Sequence, residues 1–130
     1  MKTALFYEFT VDKANNKINV EREFDAPLDL VWKAWTDPEI LDQWWAPKPW
    51  RAETKSMNFT EGGRWHYCMV GPAGERHWAL FDYKSIHHGK SYAGMDAFCD
   101  ENGVINTNHP RMQWKNTFQE EGESTLVSAE

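Results

Sequence analysis

Two short apolar stripes with helical spacing follow one another between residues 25 and 45. The first consists of Leu28, Val31, Trp32 and Trp35, and the second of Ile40, Leu41, Trp44 and Trp45. Pro27 suits the first position of a helix, where its missing N–H costs nothing, and Asp37 can cap a second helix that Pro38 opens. The stripes therefore predict two short helices in series. An indole buries roughly 150–250 Å², so we expect a sheet to provide the broad apolar surface that these helices need.

Alternating apolar and polar residues, the pattern of half-buried strands, occupy most of the remaining chain. The predicted strands cover residues 5–11, 18–24, 50–59, 64–70, 75–86, 91–99, 111–120 and 124–129. The first two form a hairpin with a two-residue or a four-residue loop, and in either register Leu5 and the other apolar residues share one face. Arg22 is the exception on that face. Two strands, two helices and then an antiparallel meander indicate an α+β fold.

The hairpin of residues 64–70 and 75–86 decides which side chains lie together. If Gly71 to Gly74 form its loop, the facing pairs are Trp65 with Leu80, Tyr67 with Trp78, and Cys68 with His77. The next strand then adds Met95 to the face of Trp65 and Tyr67. The same register places Cys68 and Cys99 on opposite faces, which argues against a disulfide.

Composition narrows the classes of function. The chain has 130 residues, which predicts one domain, and 15% of them are aromatic. A net charge of −6 without a cluster of Lys or Arg disfavours nucleic acid and anionic membranes as partners. We find neither a signal peptide nor a long apolar run, so we expect a cytoplasmic protein with two reduced cysteines.

Two segments resemble a known family. They are residues 22–45 (REFDAPLDLVWKAWTDPEILDQWW) and 59–75 (FTEGGRWHYCMVGPAGE), with weaker support from residues 83–86 and 100–103. The sequence resembles the activator of heat-shock-protein-90 ATPase homologue-like family, a branch of the START-like (SRPBCC) helix-grip superfamily. The resemblance runs from about Lys17 to Glu130. It implies a curved antiparallel sheet that grips a long C-terminal helix, with the two short helices closing one end of an apolar cavity.

The sequence departs from the family pattern at its end, because it reaches Glu130 while the strand pattern is still running. We therefore expect a START-like domain that is C-terminally incomplete relative to the family and lacks its long helix. Without that helix, the aromatic face would form an unusually large apolar patch. We expect this face to be covered by a partner chain, a swapped element or a repositioned terminus, unless the sequence is truncated.

Aromatic side chains predicted to face the sheet interior form the candidate ligand cavity. The candidate cavity residues are Trp32, Trp35, Trp44, Trp65, Tyr67, Trp78, Leu80, Met95 and Trp114. Such residues can wall a cavity for a planar or lipid-like ligand, or they can simply fill the core. The family resemblance favours the cavity.

The polar candidates for a functional site have less support from the sequence than the aromatic cavity has. An imidazole at His77 could activate the Cys68 thiol, but no third group to orient it is evident. Arg22 is either a ligand anchor or a strand-end side chain that reaches solvent. His87 and His88 are adjacent in a turn and cannot easily share one ion, so we expect no metal and no cofactor.

The main hypothesis is non-enzymatic binding of a hydrophobic small molecule or lipid-like ligand in a helix-grip cavity. A second hypothesis, from the family name, is a protein-interaction module that activates a chaperone ATPase; a chaperone or a second copy would then bind the uncovered sheet face. A cavity enzyme of the cyclase type is the third.

Overall fold

The structure, a computed structural model, describes residues 7–130. Its elements are β1 (Tyr7–Asp12), β2 (Lys17–Phe24), α1 (Leu28–Thr36), α2 (Pro38–Trp44), β3 (Arg51–Met57), β4 (Arg64–Val70), β5 (Arg76–His87), β6 (Ser91–Phe98), β7 (Gln113–Glu121) and β8 (Ser124–Ala129). The strands form one antiparallel sheet in the order β1-β2-β8-β7-β6-β5-β4-β3. This is the expected α+β helix-grip fold. No helix follows α2 within residues 7–130, so the long C-terminal helix is not seen.

The two helices pack on one face of the sheet, which we call the inner face; the opposite side is the outer face. Asp37 caps α2 as predicted, because its carboxylate accepts a hydrogen bond from the Glu39 N–H at 2.9 Å. Pro27 is one position earlier than predicted, since it is the N-cap of α1 and not its first residue.

Neither helix, within the described part of the chain, is long and apolar enough to cross a membrane.

The β1–β2 hairpin has the four-residue loop of the two predicted alternatives, because Asp12 pairs with Lys17. Its apolar residues share the inner face, but the hairpin extends beyond the helices. Tyr7, Phe9 and Val11 are therefore 53–61% exposed. Leu5, which we placed on the same face, lies outside the described residues.

The predicted register of the β4–β5 hairpin is wrong by one residue. Trp65 pairs with Phe81, and Tyr67 pairs with Ala79. The Gly71 N–H donates to the Glu75 carbonyl at 2.9 Å, so the loop has three residues and ends at Gly74, whose φ of 85° favours glycine. A shift of one residue moves a strand's side chains to the opposite face. Trp78, Leu80 and Met95 therefore lie on the outer face.

The outer face carries a second buried cluster, which consists of His66, Cys68, Leu80 and Ala97. The loop of residues 99–112 covers it. His66 Nε2 lies 3.0 Å from the Asp100 carbonyl, and Arg64 donates to the Gly103 carbonyl at 3.0 Å. The sheet is thus buried on both faces around the middle of β5.

Cys68 and Cys99 both lie on the outer face, so the prediction that they face opposite sides is wrong. Cys68 pairs with Trp78 on β5, and the Cys99 N–H donates to the carbonyl of the same Trp78. Two strand spacings separate their Cα atoms by about 10 Å, whereas a disulfide needs less than about 7 Å. Both remain free thiols because β5 runs between them.

Asp82 on β5 forms two ion pairs, one with Arg64 on β4 and one that joins Arg111 of the covering loop to the sheet. It accepts from Arg64 at 2.6 Å and from Arg111 at 2.7 Å. Burial alone would raise the pKa of Asp82, but the hydrogen bonds from the two guanidinium groups outweigh it and hold the pKa below its ordinary value of 3.8.

A carboxyl group whose pKa is lower in the folded state than in the unfolded state stabilises the fold when the pH lies above the pKa of the unfolded state. This contribution is lost as the pH falls through the pKa of the folded state. We expect Asp82→Asn to cost about 1–2 kcal/mol at neutral pH, because the carboxylate is a third exposed. The difference in Tm between the parent and the variant should shrink between about pH 5 and about pH 2. Calorimetry at several pH values measures it, and a difference that does not change with pH would contradict the assigned ion pairs.

Candidate functional site

Aromatic rings form a continuous layer between the helices and the inner face. Trp32 meets Phe118 edge-on, with 5.0 Å between ring centroids. Trp45 meets Trp65 in the same way at 5.1 Å, and Trp65 stacks on Tyr67 at 4.0 Å. Under the helices the rings are therefore in mutual contact and form the core.

The predicted cavity residues divide between the two faces. Trp32, Trp35, Trp65, Tyr67 and Trp114 lie on the inner side, as expected. Trp44 sits at the rim, 39% exposed, and donates its indole N–H to the Ala34 carbonyl at 2.9 Å. The placement of Trp78, Leu80 and Met95 in the same cavity is wrong, since the β4–β5 register turns them to the outer face.

Several inner-face rings were not predicted as cavity residues, namely Phe24, Trp45, Phe59, Phe81, Tyr83, Tyr92 and Phe118. Trp45 belongs to the apolar stripe of the second predicted helix, and Phe118 alternates in phase with Trp114. Those two signals could have identified them. The placement of Tyr92 on the inner face depends on the register of β5 with β6. That register contains an irregularity between Tyr83 and Ser85, which no local sequence pattern reveals.

Buried phenols provide the few polar groups of the inner face. Tyr67 accepts a hydrogen bond from the Trp45 indole N–H at 3.1 Å, and burial raises its pKa to about 12. Burial also raises the pKa of Tyr92, although a hydrogen bond with Asn116 partly offsets this effect. Both phenols are therefore neutral at physiological pH and act only as hydrogen-bonding groups.

A pocket of about 430 Å³ opens at the start of α1, and we call it the α1 pocket. It is lined by Pro27, Leu28, Asp29, Trp32, Gly89 and Glu120. Trp32 reaches both the pocket and the aromatic layer, because its ring also touches Phe118 and Phe59. A volume in the range of small-molecule sites, roughly 300–1,000 Å³, makes this the candidate site for an apolar ligand.

The polar candidates do not come together. Cys68 lies on the outer face, whereas His77 pairs with Met69 and packs on Trp50, with ring centroids 5.3 Å apart. The proposed thiol–imidazole pair is therefore wrong. Arg22 is exposed on the inner side, with its guanidinium 5.2 Å from the centre of the Phe24 ring.

Residues 7–130 contain no group of three His, Cys, Asp or Glu side chains placed to hold a metal ion. His88 lies against aromatic rings, with centroid distances of 6.2 Å to Trp32 and 6.0 Å to Phe59. The His88 side chain is nevertheless exposed, as is usual for a residue in a turn.

Solved structures share this fold over most of the chain. A crystal structure from Mycobacterium smegmatis is 26% identical with a TM-score of 0.85, covering 97% of this chain and 77% of that one. Solution structures from Arthrobacter aurescens (26% identity, TM-score 0.88, 94% and 71% covered) and Staphylococcus epidermidis (28% identity, TM-score 0.83, 92% and 73% covered) are also similar. No curated protein matches the chain significantly.

A family model described as "Activator of Hsp90 ATPase homolog 1-like protein" matches residues 25–130. The match includes both helices and every strand from β3 to β8. The expected resemblance is confirmed at the level of sequence and of fold. The chain belongs to the family of Activator of Hsp90 ATPase homolog 1-like proteins.

Proposed function

We propose that the chain binds a hydrophobic small molecule or lipid-like ligand, without catalysis, in the α1 pocket. The observation that carries this proposal is the pocket of about 430 Å³ whose apolar wall, at Trp32, is continuous with the aromatic layer. A ligand there would be held mainly by removing apolar surface from water. Membership of a helix-grip family supports a binding role.

The polar rim restricts the chemistry of the ligand. Asp29 and Glu120 are the charged residues that line the α1 pocket, and both are acidic. A neutral or cationic polar group is therefore favoured over a carboxylate or phosphate. Besides these two carboxylates the lining includes no thiol, hydroxyl or imidazole, which favours binding over nucleophilic catalysis.

We expect Leu28→Ala to weaken ligand binding about tenfold, because it removes three carbon atoms from the pocket wall. Leu30→Ala is the matched control, since Leu30 lies on the same helix but is 57% exposed. Native mass spectrometry with neutral lipids and planar aromatic amines identifies a ligand, and NMR titration gives its Kd. Equal Kd values for the two variants would contradict the proposed site.

The second candidate is a protein-interaction module of the activator type. It is favoured by the apolar strip of Tyr7, Phe9 and Val11, which is exposed on the edge strand β1. If no compound binds but the chain stimulates a purified Hsp90 ATPase, this second function replaces the first.

A further inference from the structure

The lining of the α1 pocket is charged at its mouth and apolar along its wall. Asp29 and Glu120 are exposed, which places them at the opening, whereas Leu28 and Trp32 are half-buried and form the wall. A ligand longer than a single group therefore meets two environments within one cavity of about 430 Å³. Its apolar body is removed from water against Leu28 and Trp32, and the polar group at its other end stays near the two carboxylates.

The two carboxylates of the mouth come from different elements. Asp29 belongs to the first turn of α1 and lies three residues before Trp32, a spacing that places both side chains on the same side of the helix. Glu120 reaches the pocket from β7, on which α1 packs. The fold thus brings two negative charges to a cavity that already has an indole in its wall.

No basic side chain neutralises these carboxylates by direct contact. Within residues 7–130 neither Asp29 nor Glu120 forms an ion pair. Lys33 lies one turn after Asp29, and Lys90 follows Gly89 in the chain. Neither lysine lines the pocket, and neither is ion-paired with a described residue. The negative charge at the mouth is therefore available to a ligand.

The start of α1 has an opposite but smaller electrostatic effect. The first N–H groups of a helix act together as a partial positive charge of about +0.5. The N-cap of α1 is Pro27, whose side chain accepts no hydrogen bond from them. Asp29 and Glu120 contribute two full negative charges, and the chain as a whole has a net charge of −6. The mouth of the pocket therefore favours a cation over an anion.

We propose that the α1 pocket selects ammonium compounds, in which a positively charged amine is joined to a flat or linear apolar body. This inference rests on the proposed function, because it names the chemical class of the ligand for the same pocket. The ammonium group lies at the mouth beside Asp29 and Glu120, and the apolar body packs on Trp32. The indole ring adds its own attraction for a nearby cation. A carboxylate or phosphate at the same end of a ligand meets like charges instead.

Three naphthalene compounds of similar size separate the effect of charge from that of apolar contact. At neutral pH naphthylmethylamine is a cation, naphthylmethanol is neutral and naphthoate is an anion. NMR titration of the full chain gives the Kd of each compound. We expect the amine to bind at least about tenfold more tightly than the alcohol, and the naphthoate at least about tenfold more weakly than the alcohol. Added salt should reduce the difference between the amine and the alcohol.

Charge-neutral variants test the two carboxylates directly. We expect Asp29→Asn combined with Glu120→Gln to weaken naphthylmethylamine about tenfold and to leave the Kd of naphthylmethanol unchanged, because the amides keep the size of the side chains and remove their charge. Glu39→Gln combined with Glu101→Gln is the matched control. It changes the net charge by the same amount at two exposed residues that do not line the pocket, so both Kd values should stay the same. Circular dichroism verifies that both double variants are folded.

The possible results separate this inference from the function on which it rests. Equal Kd values for the amine and the alcohol, or tighter binding of the naphthoate, would overturn the ammonium preference and leave the apolar site in place. An equal loss of amine binding in the control variant would also overturn it, since the effect would then come from the overall charge of the chain. If none of the three compounds binds at millimolar concentration, both the ammonium preference and the proposed function are wrong.

Discussion

Replacing Trp65 with alanine should lower the free energy of unfolding by about 3–5 kcal/mol, because it opens a large hole in the packed core. Trp65 is 3% exposed and stacks on Tyr67, with ring centroids 4.0 Å apart. Its ring also meets Trp45 at 5.1 Å, and its indole N–H donates to Thr54 Oγ1 at 3.0 Å. The substitution removes these contacts together and leaves the Tyr67 ring without its stacking partner.

Trp78→Ala is the matched control, since Trp78 lies on the neighbouring strand of the same hairpin. It is half-buried on the outer face, with the Lys55 ammonium 5.6 Å from its ring centre. We expect a loss of about 1–2 kcal/mol. Urea unfolding followed by circular dichroism measures both variants. A loss for Trp78→Ala as large as that for Trp65→Ala would contradict the observed β4–β5 register and favour the one expected from sequence, in which both rings share the inner face.

Replacing Leu80 with alanine should cost about 2–5 kcal/mol, although Leu80 lies on the face opposite the helices. Its side chain is fully buried, at 0% exposure, together with Cys68 and Ala97 beneath the loop of residues 99–112. The loop is held to the sheet by the ion pair between Arg111 and Asp82 and by the hydrogen bond that Arg64 donates to the Gly103 carbonyl, so it cannot readily collapse into the space that alanine leaves. Most of the free-energy cost of the cavity that the substitution creates should therefore remain.

Val104→Ala provides the control for this second cluster. Val104 belongs to the covering loop but is 65% exposed, so its truncation should change the free energy of unfolding by no more than about 0.5 kcal/mol. Urea unfolding again gives both values. If Leu80→Ala costs as little as Val104→Ala, the loop does not close over the sheet as described.

Local signals made the elements of this fold predictable. Asp37 followed by Pro38 starts α2 where expected, because an aspartate cap and a proline act on the adjacent turn only. The predicted strands at 64–70 and 124–129 have the observed bounds of β4 and β8. Glycine turns and alternating side chains set these bounds without help from the rest of the molecule.

The pairing of β4 with β5 could not be predicted because β5 is buried on both faces. Ala79, Leu80 and Phe81 are consecutive and all buried, so alternation does not say which of them faces the helices. The register then depends on a loop that is one residue shorter than expected. That single difference exchanged the faces of Trp78, Leu80 and Met95 and separated Cys68 from His77.

The candidate site was predictable only in part, because it combines elements that are distant in the chain. Trp32 was identified from its helical stripe, and it does line the α1 pocket. Gly89 and Glu120 complete that pocket from β5–β6 and β7, and neither carries a sequence pattern that marks a ligand site. Their proximity to Trp32 follows from the strand order of the sheet.

By itself the sequence determined the two helices, the eight-strand pattern and the α+β order, since caps, turns and side-chain periodicity act over a few residues. Tertiary structure alone decided which side chains share a face and where the α1 pocket opens. These features depend on pairing between residues far apart in the chain. Such pairing is selected by the packing of the whole sheet, which no single segment encodes.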